Sequence, residues 1–181
     1  RLGGTTWHMG LRDRRVSINP FSLPGTPEQI HFLWGFVRVL LQSGGQYRLT
    51  AKDDRDVADA VESLYVLDPS QRRLLTVAQT LPRALAQHLH RWVQGGPYGA
   101  VFDAAEDTLT LGTFQCFDFQ GLEDYPLILE PLLFYILHRA NTAIRNQDAR
   151  SRLKLFLLDE AWRFAKDPVV KAYMVEALKT W

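Results

Sequence analysis

The stretch Leu153-Lys154-Leu155-Phe156-Leu157-Leu158-Asp159-Glu160 decides how the rest of the chain is read. A nearly continuous apolar run of this length predicts an interior strand over 153–158, in a parallel sheet covered on both faces. In open α/β sheets the ligand crevice lies at the carboxyl ends of the strands, and two carboxylates stand there. A buried strand that ends in solvated acids and starts a loop gives the same pattern, so the eight residues alone leave both readings open.

Nucleotide-hydrolysing folds of the P-loop class give such a pair a task. The Asp at the strand end helps hold Mg²⁺ beside the β and γ phosphates, and the adjacent Glu polarises the attacking water. The phosphate-cradling partner G-x-x-x-x-G-K-[ST] is missing, because no Gly is followed directly by Lys. Either the loop precedes Arg1 or the carboxylate pair does something else. The chain starts without Met and stops at Trp181 inside an apolar helical pattern with no cap, which is expected of a piece of a longer protein.

Working outward, Asp167 and Pro168 look like the cap and first residue of a helix carrying Val170, Met174, Ala177, Leu178 and Trp181. Upstream, Arg145 to Arg152 is a polar loop, preceded by a long apolar helix from about Leu127 to Ile144 with Pro131 near its first turns. Tyr98–Phe102 and Leu109–Phe119, rich in aromatic and β-branched residues and separated by the acidic turn Asp103–Asp107, predict a β-hairpin. Phe114, Phe117 and Phe119 are expected in the core.

The block 26–94 reads as helical. Thr26 caps a helix with Pro27 first and Gln29 at capping-box spacing; Ile30, Leu33, Trp34, Val37, Leu40 and Leu41 follow at helical intervals until Gly44-Gly45. A second helix starts at Thr50 with Asp53 and Asp54 in its first turn, and buries Val57, Ala60, Val61 and Leu64. One short and one longer helix fill Pro69 to Gln94, the longer carrying Leu85, Leu89, Trp92 and Val93 and stopped by Gly95-Gly96-Pro97. Before the block, Val16-Ser17-Ile18 predicts a short strand turning at Asn19-Pro20.

Composition bounds the function. The 181 residues are 46% hydrophobic, enough for a sizeable core and against intrinsic disorder. A formal net charge of +1 gives no overall field for nucleic acid or acidic lipid. The single Cys116 excludes an internal disulfide and Cys-rich zinc sites. The apolar stretches are broken by Glu130 and Pro131, and by His31 and Arg38, well short of the roughly 20 residues a bilayer span needs. No transmembrane segment or signal peptide is expected, and the cytoplasm is the default compartment.

Asp159-Glu160-Ala161-Trp162-Arg163-Phe164, then Asp167-Pro168 and Glu176-Ala177-Leu178-Lys179-Thr180-Trp181, resembles the Walker B region and following helix of the conjugative-transfer ATPases of bacterial type IV secretion systems. Leu2-Gly3-Gly4, Ile18-Asn19-Pro20-Phe21, Trp92 to Tyr98, Val101-Phe102-Asp103 with Asp107 and Leu109, and Phe117-Asp118 fall in the order that family shows between Walker A and Walker B. The resemblance covers nearly the whole chain. It implies part of a RecA-like P-loop ATPase domain (fold class α/β) with 26–94 as a helical insertion, while 97–181 supplies the hairpin, long helix, Walker B strand and next helix. It further implies ATP and Mg²⁺ as ligands, Asp159 coordinating Mg²⁺ through water, and Glu160 as catalytic base. The implied motor is a homo-oligomer, hexameric by resemblance, at the cytoplasmic face of the bacterial inner membrane. There it would work with inner-membrane channel components and the pilus subunit, powering secretion and pilus assembly; direct contact with DNA is left open.

Two other readings stand beside this one. In the first, the 26–94 helices form a non-catalytic module docking on a secretion channel or neighbouring subunit. In the second, a metal-dependent enzyme unrelated to P-loops uses the acid pair with another acid such as Asp118. Arg163 and Arg152 flank the strand and could serve as arginine fingers, though surface or carboxylate-paired roles are commoner. His88 and His90 lie about 200° apart on a helix and are read as ordinary helix residues. Arg12, Arg14 and Arg15 beside Asp13 make an exposed turn too small for a nucleic-acid face. Gly95-Gly96 is read as a helix end in preference to a phosphate contact.

Overall fold

The computed structural model describes residues 4–11, 16–45, 47–122, 124–146, 155, 157, 159 and 168–180; of the side chains of 146, 169 and 176–180 nothing is stated. Among these, two strands, β1 (Thr5–His8) and β2 (Gln115–Asp118), pair in parallel with Thr5 opposite Gln115 and His8 opposite Asp118. Parallel neighbours need a long crossover, and here everything from Met9 to Phe114 supplies it. The helical block sits inside that crossover as α1 (Pro27–Gln42), α2 (Ala51–Leu64), α3 (Leu74–Thr80) and α4 (Arg83–Leu89), followed by the single turn α5 (Gly99–Phe102). After β2 come α6 (Pro126–Asn146) and α7 (Pro168–Thr180).

Helix α6 is the centre of the core. Ile128, Leu129 and every residue from Leu132 to His138 are buried, and a helix apolar all round must be surrounded by protein. It packs on α1 and α7, while α1 also meets α2 and α4. Pro131 inside α6 removes the donor that would have reached the Leu127 carbonyl; the Ser43 hydroxyl donates there instead, at 3.4 Å.

The starts of α1 and α2 follow the sequence. The Thr26 hydroxyl accepts from the Gln29 N–H, and Thr50 with Asp53 completes a capping box. The Gln29 side chain, however, leaves the cap and turns inward to the Pro20 carbonyl and His138.

Three expectations are corrected. No hairpin forms: 99–102 is a helical turn, and β2 pairs in parallel with β1. The acidic turn is the cause, because Asp103 and Asp107 are buried anchors and cannot serve as a solvated loop. The segment 16–19 is extended but is not a strand; Ile18 exchanges backbone hydrogen bonds with Val101 and Ala104, and the strand lies earlier, at 5–8. The longer helix predicted up to Gln94 ends at Leu89, and Trp92 is buried in the turn that follows, its indole N–H donating to the Leu40 carbonyl at 3.1 Å. Gly96 and Gly99 let this turn close: a Cβ there would lie 2.2 Å from the His90 carbonyl oxygen and 2.0 Å from that of Val93.

Two buried carboxylates hold the crossover together. Asp103 accepts from the Leu75 and Gln94 backbone N–H groups at 3.0 and 2.8 Å, with the Arg73 guanidinium beside it. Asp107 accepts from the backbone of Asn19 and Leu109 (3.1 and 3.0 Å), from Arg139 at 2.8 Å, and from the Tyr135 hydroxyl. Asn19, itself buried, donates its amide to the carbonyls of Arg72 and Ala105. Removing one partner of a buried ion pair strands the other, at a cost of about 3 kcal/mol or more. Asp107→Ala is therefore expected to lower unfolding free energy by about that amount in urea melts. A loss no larger than an exposed ion pair gives, under about 1 kcal/mol, would contradict this anchoring role.

Candidate functional site

Strands β1 and β2 point the same way and end together, so His8 and Asp118 face each other at the carboxyl lip of the sheet. The His8 Nδ1 donates to Asp118 Oδ2 at 2.9 Å. The other carboxylate oxygen accepts from the Gln120 N–H at 2.9 Å, and the Asp118 carbonyl accepts from the Met9 N–H at 2.8 Å. The His8 side chain is 54% exposed and that of Asp118 32%, so the pair is open to a ligand.

Of the acid pair read from the sequence, Asp159 is described and Glu160 lies outside the described residues. Asp159 is exposed on a turn, a hard oxygen donor within reach of solvent. From the predicted strand 153–158, Leu155 and Leu157 are described; both lie outside any strand and are 77% and 82% exposed. The expectation of cover on both faces is corrected at these two positions, since no described element packs over them.

Other candidates resolve case by case. His88 stacks on the Tyr47 ring with centroids 4.4 Å apart, as a packing residue. Phe117 and Phe119 are half-buried against the core, but Phe114 is 57% exposed, its ring against Gly4, which corrects its expected core role. Arg12, Arg14, Arg15, Arg152 and Arg163 lie outside the described residues. Gly95 takes a left-handed φ of 93° within the turn that follows α4; the helix itself ends at Leu89, so the expected helix-stop role of Gly95-Gly96 is corrected. A groove of about 380 Å³ between α1 and α2, lined by Pro27, Ile30, His31, Trp34, Ala58 and Glu62, had no signal in the sequence, where Ile30 and Trp34 read as members of the apolar stripe.

Helix α7, which follows the Asp159 turn, is tied to the core by a buried histidine. The Pro20 carbonyl can only accept, so Gln29 gives it the amide N–H and presents its oxygen to His138. The His138 Nε2 must then donate, at 2.7 Å, and Nδ1 accepts from the Tyr173 hydroxyl of α7 at 3.0 Å. Phe32 stacks flat on the ring at 3.7 Å. This arrangement suits the neutral imidazole alone, and burial, with Arg139 adding to it, lowers the His138 pKa to about 3. Burial likewise raises Tyr173 to about 12, keeping its hydroxyl protonated.

The fold so described is an α/β domain with a parallel sheet and a long helical crossover. No family model matches the chain. Relatives do: it is 32% identical to the type IV secretion system protein VirB4 of Bartonella quintana over 99% of this chain and 23% of that protein. VirB4 of Brucella abortus is 28% identical over 84% of this chain and 20% of its own length. PtlC of Bordetella pertussis is 27% identical over 89% and 21%. The solved structure of VirB4 from Thermoanaerobacter pseudethanolicus has the same fold, with a TM-score of 0.72 at 19% identity, covering 98% of this chain and 53% of that one. The chain belongs to the type IV secretion ATPase family, and spans 20–23% of the length of these curated relatives.

His138 generates a pH dependence. Its folded pKa lies below the ordinary value of about 6.5, so its contribution to stability is complete above pH 6.5 and is lost as pH falls toward 3. Between about pH 6 and 4 the parent is expected to lose about 1.4 kcal/mol per pH unit more than His138→Gln in parallel denaturant titrations. Parallel pH profiles for the two proteins would contradict a neutral buried His138.

Proposed function

We propose that this chain supplies the Walker B half of the nucleotide site in a RecA-like P-loop ATPase domain, with 26–94 as its helical insertion. The observation that carries the reading is the parallel pair β1–β2, whose carboxyl ends present His8 and Asp118 at the lip where such folds bind ligands, in a chain of this family. Asp159, exposed on its turn, has the oxygen chemistry that suits Mg²⁺ held through water. When bound, Mg²⁺ neutralises charge on the β and γ phosphates.

Glu160 accepts a proton from the attacking water as the water oxygen bonds to the γ phosphorus. The bond to the β–γ bridging oxygen breaks, releasing ADP, and the proton rests on the Glu160 carboxylate until solvent removes it. Residues before Arg1 would bring the phosphate-gripping lysine. The whole protein then works as a homo-oligomer, a hexamer by resemblance, at the cytoplasmic face of the inner membrane. It drives type IV secretion, conjugative transfer and pilus assembly against channel components and the pilus subunit. Within the described residues, no helix is long and apolar enough to cross a membrane.

The docking-module alternative has one observation in its favour, the α1–α2 groove on the helical block. The metal-enzyme alternative is weakened because both Asp118 carboxylate oxygens are already engaged, one by His8 and one by Gln120.

In the full-length protein, Glu160→Gln is expected to retain Mg-ATP while turnover falls on the order of 10²–10⁴-fold, the range a positioned base supplies. Steady-state phosphate release, with nucleotide binding measured alongside, checks this. Turnover equal to the parent would contradict the motor and favour the docking module.

A further inference from the structure

We propose that the α1–α2 groove seats an arginine ridge on α4 of a second copy of this chain, joining the helical blocks of neighbouring subunits head to tail; this rests on the homo-oligomer proposed above. The groove is lined by Ile30 and Trp34 with Pro27 and Ala58, and Glu62 adds a carboxylate to it. Beside it, the chain already shows how Trp34 takes a cation. The Arg38 guanidinium lies 4.9 Å from the centre of the Trp34 ring and its Nε is 3.1 Å from the Asp54 carboxylate. Glu62 stands two turns beyond Asp54 in the same row of α2, at i+8, but it is exposed and pairs with no cation among the described residues. An aromatic wall with a free carboxylate beside it is a second place of the same kind, suited to a guanidinium.

Charge points to the source of that guanidinium. Helix α2 carries five acids against Lys52 and Arg55. Asp53 is engaged by Thr50 and Tyr47, Asp54 by Arg38 and Asp56 by Lys52, which leaves Asp59 and Glu62. From Pro69 to Phe102 the balance reverses, with four arginines and no acid. Arg72 is committed to the Leu67 carbonyl and the Tyr65 ring and Arg73 to Asp103, while Arg83 is exposed and, among the described residues, unpaired. Arg83, Gln87 and His90 are all exposed and follow at i, i+4 and i+7, so they form one ridge. Seven helical residues rise about 10 Å, which is also the span from Pro27 to Trp34 along the groove. In the second copy this ridge lays the Arg83 stem on Trp34 and its guanidinium against Glu62. Two different surfaces of one chain that fit each other make a heterologous contact, the kind that closes into rings.

The test uses full-length protein at physiological ionic strength, with dissociation of the oligomer followed by sedimentation velocity for the parent, Glu62→Arg, Arg83→Glu and the double reversal. Both side chains are exposed, so neither reversal disturbs the core. Each single reversal sets like charges against each other across the seam and is expected to raise the dissociation constant on the order of tenfold or more. The double reversal restores the pair with its signs exchanged and is expected to recover most of that loss. An oligomer that withstands both single reversals, or a double variant no tighter than either single, would overturn the seam while leaving the homo-oligomer standing, and would give the groove to a segment outside these residues or to another protein. A parent that stays monomeric at every concentration would overturn both.

Discussion

The fold turns on a single buried carboxylate. Asp107 gathers the backbone of Asn19 and Leu109, the guanidinium of Arg139 and the hydroxyl of Tyr135. Those groups come from the segment entering the helical block, the segment leaving it, and the central helix α6. A carboxylate this buried is tolerated only when its oxygens are saturated with donors, so each of the three segments is held in place by the requirement to satisfy it. The consequence reaches the sheet, because a crossover pinned at both ends returns the chain to lie parallel with β1.

Much of this was legible beforehand where the cause is local. Thr26 with Pro27 and Thr50 with Asp53 announce helix starts through hydrogen bonds three residues long, and α6 announces itself by continuous apolarity. What failed was non-local. Tyr98–Phe102 has the composition of a strand, but Asp103 is satisfied by Leu75 and Gln94 and holds 99–102 as a helical turn. Acids between apolar segments look like a solvated turn until their partners, Arg73 and Arg139, are known from the fold. β1 went unseen because its residues, all exposed but the half-buried Trp7, carry no apolar period; only pairing with β2 makes it a strand.

The candidate site shows the same division. Asp159 and Glu160 were read from a local pattern, an apolar run ending in two acids, and family membership supports their proposed roles. His8 carried no signal at all, since it lies 110 residues from Asp118 and only strand register brings the two together. The exposed Leu155 and Leu157 belong to this picture too: a strand that is to lie inside a sheet needs cover, and the described residues provide none for these two.

The most direct measurement is an experimental structure of the full-length protein with Mg²⁺ and a non-hydrolysable ATP analogue. The account predicts the triphosphate lying across the carboxyl ends of β1 and β2, with Asp159 facing the metal's water shell. A nucleotide bound elsewhere, or Asp159 turned away from it, would contradict it.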